Sequence, residues 1–418
     1  MDKIIIHGGR KLNGTIRISG SKNAALPILA ASLLTDEVCE ADNVPDLADI
    51  GTTVALLEFI GKKVERRPNK VIISPDKQRL SDTAPYDLVR KMRASVLVMG
   101  PLLARLGHVK VSLPGGCAIG ARPIDIHLDG FSKMGAEIEL SGGYVEVKAK
   151  ELSGARIVFR YPSVGATENL LLASVLAKGP TIIENAAREP EIIDLADVLN
   201  KMGAKITGAG QSTIHIHGVD KLGGFKHEVI PDRIETATYL IAAAVTKGSV
   251  KLLHTNSSFI KAIVRKLVSA GLKITEGPDY ISAKWTKNLK PQNIRTAVYP
   301  DFPTDVQAQW MALMALVPGS SYIEETVFEN RFLHVGELQR LGADLRIRGS
   351  RVIINGVKRL SGAPIMVSDL RAGAALIIAG LAAGGKTEVL RVYHLDRGYE
   401  KLEQKLRKLG ARVRRISY

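Results

Sequence analysis

The chain is poor in three features, and each one excludes a class of protein. It has two cysteines among 418 residues, Cys39 and Cys117, which cannot form a disulfide framework, so we expect a reducing compartment and a cytoplasmic location. Aromatic residues make up only 5%, too few for the stacking platforms that bind single strands. The longest apolar run, Ala374–Ala383, is shorter than the ~20 residues that cross a bilayer. The run Ile4–Ile6 is too short for a signal peptide.

The composition indicates a globular protein with an anionic partner. Apolar residues make up 45% and charged residues 24% of the chain, which is ordinary for a globular fold. A length of 418 residues predicts two or three domains at about 150 residues each. The net charge of +16 favours nucleic acid, acidic lipid or a small phosphorylated substrate. The basic run Arg412–Arg415 is interpreted as a solvated strand, and the oligomeric state is not predicted.

A glycine recurs after a short apolar helix end and before a strand-like segment. The intervals between these glycines are 74, 68, 68, 71 and 68 residues. Each one stands where a helix would end in the left-handed conformation. The six positions are Gly61, Gly135, Gly203, Gly271, Gly342 and Gly410.

Six helices that are apolar on nearly every side repeat in step with these glycines. They begin near Ala24, Ala94, Ala166, Thr236, Val306 and Ala372. Such helices must be buried on every side, so each repeat reads strand, buried helix, strand, amphipathic helix, strand, strand. We therefore predict an α/β fold of two lobes, each with three such units and buried helices, divided near 226–230. An open solenoid fits poorly, because solenoids lack fully buried helices.

The position at the start of each buried helix is occupied mainly by cations. The six residues are Lys22, Arg93, Gly165, Arg233, Asp305 and Arg371. A helix N-terminus already favours anions, so helix stability alone would select acidic residues there. If the helices of each lobe begin at the same end, two facing lobes would form a cleft that binds phosphates and carboxylates. The alternative is that each residue simply faces solvent in a first turn.

A glycine-rich loop, Leu113–Asp125, interrupts the second repeat. Its glycines permit a mobile lid, with Cys117 at the tip and Arg122 five residues later. A thiol in such an electropositive loop is a candidate for acid–base or nucleophilic chemistry. A lone cysteine is more often inert packing, and that interpretation fits Cys39.

Several motifs together resemble the enolpyruvyl transferase family, and within it the UDP-N-acetylglucosamine 1-carboxyvinyltransferases. The resemblance covers the whole chain, and the cysteine loop and Asp-Phe-Pro-Thr-Asp are its specific parts. The sister 5-enolpyruvylshikimate-3-phosphate synthases share the fold, but their Asn-Ala-Gly-Thr signature is missing here and they have no such cysteine lid. The motifs are Ser21–Pro27, Lys91–Ser95, Pro114–Asp125, Pro162–Ala166, Pro231–Glu235, Asp301–Asp305, Phe328–Arg331, Ser368–Arg371 and Asp396–Gly398.

The resemblance implies an inside-out α/β barrel and a specific reaction. One lobe would comprise 22–229 and carry the Cys117 lid; the other would comprise 1–21 and 230–418. The family moves the enolpyruvyl group of phosphoenolpyruvate to the 3′-hydroxyl of UDP-N-acetylglucosamine by addition and elimination and releases phosphate. This is the first committed step of peptidoglycan synthesis. No metal, cofactor, nucleic acid or membrane insertion is implied.

The resemblance also implies roles for individual residues. Asp305 would be the base at the sugar hydroxyl. Cys117 would be the acid toward C3 and the target of fosfomycin. Lys22, Arg122 and Arg397 would grip phosphoenolpyruvate. The implied substrate-binding residues are Lys22, Asn23, Arg93, Arg122, Pro123, Ile124, Asp125, Ile126, Ser163, Val164, Gly165, Asp305, Val327, Arg331, Arg371 and Arg397.

Two alternatives and one departure stay open at this point. The pI of about 9.7 also fits a nucleic-acid-binding protein on a degenerate transferase fold, although its basic residues are dispersed. Shikimate 3-phosphate could replace the sugar nucleotide as the acceptor. The cysteine loop argues against this alternative. Some family members have a lysine near the Ser-Val-Gly turn, where this chain has Tyr161-Pro162.

Overall fold

The computed structural model describes residues 2–76, 80–90, 92–113 and 124–417. These residues form two compact units. The first unit contains the described residues of 20–230, and the second unit contains 2–19 and 231–417. Each unit has its own hydrophobic core.

Three apolar helices form the interior of each unit and pack on one another. Side chains accept hydrogen bonds from the first-turn amides in four of them, at Ser21, Ser163, Asp232 and Asp369, as helix caps do. In the described chain, no helix is long and apolar enough to cross a membrane. The interior helices are α1 (Lys22–Ala31), α4 (Met99–Leu106), α6 (Val164–Ser174), α8 (Arg233–Val245), α10 (Gln307–Met314) and α12 (Leu370–Ala382).

The second and fifth interior helices begin differently from the prediction. The starts predicted near Ala94 and Val306 are 3₁₀ turns, Arg93–Val98 and Thr304–Val306, which lead into α4 and α10. A 3₁₀ turn is a common way for an α-helix to begin. Further 3₁₀ turns are Ser32–Leu34, Ser257–Ile260 and Val392–Arg397.

Outer helices follow the predicted glycine pattern. All six repeat glycines have positive φ, from 92° at Gly135 to 115° at Gly61, which confirms the left-handed helix ends. The outer helices are α2 (Ala48–Ile60), α5 (Asp125–Lys133), α7 (Pro190–Lys201), α9 (Lys261–Ser269), α11 (Val335–Arg340) and α13 (Leu402–Lys408); a short α3 (Tyr86–Val89) precedes α4.

The described strands of the first unit form three four-stranded sheets. In one of them Ile157, Ile183 and Ile214 are fully buried, because alternate residues face the interior helices. The sheets, in spatial order, are β14 (Phe225–Glu228), β3 (Cys39–Asp42), β5 (Lys70–Pro75) and β4 (Lys62–Arg67); β6 (Thr83–Ala84), β7 (His108–Ser112), β9 (Tyr144–Lys148) and β8 (Glu137–Ser141); and β10 (Arg156–Val158), β11 (Pro180–Glu184), β13 (Thr213–His217) and β12 (Lys205–Thr207).

The second unit repeats this arrangement among its described strands. In each sheet the first strand is parallel to the second, as in β10–β11, and the other pairs are antiparallel. The sheets are β2 (Asn13–Arg17), β15 (Ser249–Leu253), β17 (Tyr280–Lys284) and β16 (Lys273–Glu276); β18 (Ile294–Arg295), β19 (Ser320–Glu324), β21 (Arg351–Asn355) and β20 (Asp344–Arg348); and β22 (Pro364–Met366), β23 (Lys386–Leu390), β1 (Asp2–His7) and β24 (Arg412–Ser417).

The N-terminal strands belong to the second unit. β1 lies between β23 and β24, with Ile4 opposite Val389 and Arg415, and β2 pairs in parallel with β15. Sheets therefore surround buried helices in both units. The predicted α/β architecture, an inside-out barrel of repeated βαβαββ units, is confirmed.

Candidate active site

Asp305 is held by two arginines in the second unit. Its Oδ1 accepts a hydrogen bond from Nη2 of Arg331 at 2.8 Å, and its Oδ2 accepts one from Nη2 of Arg371 at 2.9 Å. Both arginine side chains are buried, whereas 29% of the Asp305 side chain is exposed. The carboxylate is thus fixed in position and still accessible.

Helix starts bring this cluster together. Asp305 lies in the 3₁₀ turn before α10, and Arg371 lies in the first turn of α12, with its amide hydrogen-bonded to Asp369. Arg331 follows β19 through a short loop. Two of the residues predicted at helix starts therefore meet directly, which agrees with the expectation that the interior helices of one lobe begin at the same end.

The arginines keep the Asp305 carboxylate ionised. Burial alone would raise the pKa of Asp305, but the charges and hydrogen bonds of Arg371 and Arg331 outweigh burial and hold that pKa well below its usual value. Burial would likewise lower the pKa of Arg371, and the opposing charge of Asp305 raises it instead. The cluster is an ion triad of two buried arginines and a partly exposed carboxylate, and it keeps its charges across the physiological pH range.

A polar network that the sequence did not reveal supports the backbone of Asp305. Nε2 of Gln309, one helical turn later, donates to the Asp305 carbonyl oxygen at 3.0 Å. It also approaches Oγ1 of Thr238 at 3.2 Å and the hydroxyl of Tyr399 at 3.3 Å. Polar residues on a helix predicted to be buried are the signal that would have identified Gln309.

The other predicted residues of the second unit make contacts of their own. Val327 is 39% exposed, and its amide donates to Oε1 of Glu325 at 2.8 Å. Arg397 ends the 3₁₀ turn Val392–Arg397 and is half-buried; burial and the charge of Arg397 lower the pKa of His394. The guanidinium of Arg233 lies 5.6 Å from the ring centre of Tyr299.

In the first unit, Lys22 is paired with an acidic residue. Its Nζ lies 2.9 Å from Oδ2 of Asp49, and the two side chains are 12% and 4% exposed. Asp49 lies in the first turn of α2, whereas Lys22 is the first residue of α1. Asn23, next to Lys22, is half-buried. Nothing in the sequence marked Asp49 as the partner.

A buried amide–imidazole pair connects three other predicted segments of the first unit. Nδ2 of Asn169 lies 2.9 Å from the carbonyl oxygen of Val96 and 3.0 Å from Nδ1 of His127. A Cβ at Gly165 would lie 3.4 Å from Cε1 of His127. Burial and the nearby charge of Arg93 lower the pKa of His127 to about 3. His127, which the sequence analysis missed, is therefore neutral at physiological pH and lies beside Gly165 and Arg93.

The remaining described residues of the first unit lie around the starts of α5 and α6. Oγ of Ser163 caps α6, which begins at Val164. Ile124 and Ile126 are buried, and Asp125 forms an ion pair with Arg160. Arg160 thus places a cation three residues before the capping Ser163.

Three predicted residues lie outside the described part of the chain: Cys117, Arg122 and Pro123. The other cysteine, Cys39, is 1% exposed, and burial raises the pKa of its thiol to about 11. The interpretation of Cys39 as inert packing is therefore confirmed. Among the described residues, no group of His, Cys, Asp or Glu is arranged to hold a metal ion.

Comparison with known proteins places the chain in a family. The family model described as EPSP synthase (3-phosphoshikimate 1-carboxyvinyltransferase) matches residues 6–406. A protein of Endomicrobium trichonymphae named UDP-N-acetylglucosamine 1-carboxyvinyltransferase is 64% identical over 417 residues, with 100% of both chains covered. A protein of the same name from Geobacter metallireducens is 54% identical over 417 residues, again with 100% of both chains covered.

A solved structure agrees with these relatives. The crystal structure of the enolpyruvyl transferase NikO from Streptomyces tendae superposes with a TM-score of 0.90 at 25% sequence identity, covering 100% of this chain and 99% of that one. Fold and sequence point the same way: the chain belongs to the EPSP synthase family and, within it, to the UDP-N-acetylglucosamine 1-carboxyvinyltransferases.

Proposed function

We propose that this protein transfers the enolpyruvyl group of phosphoenolpyruvate to the 3′-hydroxyl of UDP-N-acetylglucosamine and releases phosphate, which is the first committed step of peptidoglycan synthesis. The observation that carries the proposal is the 64% identity over the full chain to a relative with that name. The ion triad of Asp305, Arg331 and Arg371 supports it, because it combines an ionised, accessible carboxylate with a cationic surrounding.

The reaction runs by addition and then elimination. A proton adds to C3 of phosphoenolpyruvate while the sugar hydroxyl attacks C2, which gives a tetrahedral intermediate. Loss of phosphate from C2 and of a proton from C3 then restores the vinyl ether. The chemistry therefore needs one group that handles the hydroxyl proton and one that handles the C3 proton.

Asp305 is the proposed group at the sugar hydroxyl. A carboxylate with a depressed pKa is a weak base, so it orients the hydroxyl by accepting a hydrogen bond. It takes the proton only as the C–O bond forms and the hydroxyl becomes acidic. Arg331 and Arg371 hold the carboxylate in one orientation for this transfer.

The other roles follow the family resemblance. Cys117 is the proposed acid toward C3, and Lys22, Arg122 and Arg397 are the proposed partners of the phosphate and carboxylate of phosphoenolpyruvate, for which charge-assisted hydrogen bonds are suited. Arg93 and the segments 122–126 and 163–165 are proposed to bind the sugar nucleotide. We take the two units as the two lobes, and cysteine usage favours the cytoplasm as their location.

A phosphate-release assay tests the reaction. Phosphate should appear only when phosphoenolpyruvate and UDP-N-acetylglucosamine are both present, and shikimate 3-phosphate should not replace the sugar nucleotide. Asp305→Ala should abolish turnover but leave sugar-nucleotide binding measurable. Asp344→Ala is the matched control, because Asp344 belongs to the same unit and is 44% exposed, and its contacts with Arg346 at 3.8 Å and with Nδ2 of Asn355 at 3.0 Å lie on strands β20 and β21. Undiminished turnover by Asp305→Ala would refute the assignment.

A labelling experiment tests the role of the cysteine. Fosfomycin should add to the native protein once per chain, and Cys117→Ala should remove this addition as judged by intact mass. Addition that persists in Cys117→Ala would place the reactive thiol elsewhere.

A further inference from the structure

Glu325 is a buried carboxylate immediately after β19 that sequence reasoning did not identify. It is 4% exposed and accepts four hydrogen bonds. Oγ1 of Thr296 and the amide of Val327 each donate to Oε1 at 2.8 Å, and the amide of Phe328 donates to the same oxygen at 3.2 Å. Oγ1 of Thr304 donates to Oε2 at 2.8 Å.

These four donors come from three separate segments. Both oxygens of the carboxylate accept hydrogen bonds, three at Oε1 and one at Oε2. Burying a charged group is costly unless it is satisfied in this way. Loss of any one donor therefore leaves a buried carboxylate oxygen with fewer hydrogen bonds. The three segments are coupled because they all bind the same side chain.

The segments coupled by Glu325 are those that matter for the proposed reaction. Thr304 immediately precedes Asp305, the proposed base. Val327 belongs to the loop that also leads to Arg331, one of the two arginines on Asp305. Glu325 thus connects the base segment to the loop that orients the base.

We propose that Glu325 is a positioning residue for Asp305: by holding Thr304 and the amides of Val327 and Phe328, it sets the position of the carboxylate relative to the loop that carries Val327 and Arg331. This role rests on the proposed function. Gln309 fixes the Asp305 carbonyl oxygen from the helix side, so Glu325 supplies the opposite anchor, on the segment that enters the helix.

Thr304 offers a substitution that separates the hydroxyl from the methyl group. Thr304→Val keeps the shape and removes the donor to Glu325, whereas Thr304→Ser keeps the donor and removes the methyl group. Misplacement of a reacting group by about 1 Å lowers rates by roughly 100-fold, so Thr304→Val should lower kcat by about 10- to 100-fold. The dissociation constant for UDP-N-acetylglucosamine should change by less than about threefold, because neither Thr304 nor Glu325 is among the residues proposed to bind it.

Thr304→Ser should retain kcat within about threefold of the parent protein, because the hydroxyl is the part that acts. Thr387→Val is the matched control: Thr387 is fully buried in the same unit, and its hydroxyl has no hydrogen-bond partner within the described structure. Its kcat should equal that of the parent. Glu325→Gln, which turns one acceptor into a donor facing Thr304 or the amides, should lower kcat in the same direction as Thr304→Val.

The outcomes are distinct. A Thr304→Val protein with parental kcat, or a Thr304→Ser protein as slow as Thr304→Val, overturns the positioning role while the proposed function stands. If Thr304→Val fails to fold, a folded Glu325→Gln protein with parental kcat overturns it equally. If the parent protein releases no phosphate with both substrates present, the proposed function fails first and the positioning role falls with it.

Discussion

The two units share one architecture but differ in whether an acidic residue stands at the start of an interior helix. In the first unit these positions are Lys22, Arg93 and Gly165, with no acidic residue among the three. In the second unit Asp305 stands between Arg233 and Arg371 in the repeat and forms an ion pair with Arg371 at 2.9 Å. The repeat therefore determines where these six residues lie, and the identity of each residue determines the charge there.

The buried groups behind these positions differ in the same way. The first unit uses a neutral pair, His127 and Asn169, with the pKa of His127 lowered to about 3 by burial and by Arg93. The second unit uses ionised groups, with Asp305 held between two arginines. The ionised cluster keeps a charged carboxylate at its position, whereas the neutral pair fixes backbone segments without adding charge.

Breaking the ion triad should have the largest effect. Arg371→Met leaves Asp305 with Arg331 alone and should reduce phosphate release at least about 100-fold, since an oriented charged donor is lost. It should also lower the free energy of unfolding of the second unit by about 3 kcal/mol, as expected when one partner of a buried pair is removed. Steady-state kinetics and urea titration followed by tryptophan fluorescence measure both, because Trp285 and Trp310 belong to that unit.

The control for Arg371→Met is the double variant Asp305→Asn/Arg371→Met. It removes the charge that Arg371 compensates, so its stability loss should be smaller than the sum of the two single losses by about 1–3 kcal/mol. Additive losses would show that the pair is not coupled.

Acidification should destabilise both units through a neutral histidine in each. In the first unit, burial lowers the pKa of His127 to about 3. In the second unit, burial lowers the pKa of His334 to about 4; the charge of Asp369 raises this pKa and the charge of Arg331 lowers it. The unfolded chain protonates first, so stability is complete above pH ~6.5 and is lost as the pH falls toward these values. Between pH 7 and pH 5, the protonation of each histidine should lower the free energy of unfolding by about 2 kcal/mol.

Histidine variants assign this acid sensitivity to each unit. His127→Gln should reduce the pH dependence seen by circular dichroism and leave the tryptophan transition unchanged. His334→Gln should reduce the pH dependence of the tryptophan transition. Urea titrations at pH 7 and pH 5 measure both, and an unaltered pH dependence in either variant contradicts the assignment for that unit.

The ion pair between Lys22 and Asp49 in the first unit should contribute less to stability than the triad. Asp49→Asn keeps an acceptor for Lys22 but removes the charge, and should lower stability by about 1 kcal/mol. Asp46→Asn is the control, because Asp46 pairs with Arg66 at 2.9 Å with side chains 67% and 40% exposed; such a pair contributes at most about 0.5 kcal/mol. If urea titration shows that Asp49→Asn and Asp46→Asn lower the free energy of unfolding equally, burial does not strengthen the pair of Lys22 and Asp49.

The smallest effect on activity is expected at Cys39. Its thiol is buried and has a raised pKa of about 11, so iodoacetamide should label it only after unfolding. Cys39→Ala should change kcat less than twofold and stability by about 1 kcal/mol, the loss of one small buried group. Peptide mass spectrometry of native, labelled protein measures this, and native labelling at Cys39 would show that β3 opens readily.

Much of the site was predictable in position but not in arrangement. The starts of the interior helices put Lys22, Asp305 and Arg371 into one repeated position, and two of these meet in the structure. Glu325 and Asn169 were not predicted, because a single buried polar residue has no periodic signal. Their partners, Thr304 and His127, lie 21 and 42 residues away along the chain.

The amino-acid order alone determined the repeat, the buried helices and their glycine ends, because apolar periodicity and a positive φ are properties of neighbouring residues. Only the tertiary structure decided which charges meet. Asp305 pairs with Arg331 and Arg371, 26 and 66 residues away, and β1 completes a sheet with β24 at the other end of the chain. Such contacts depend on how the helices and sheets pack, and side-chain pairing across that packing leaves no local pattern.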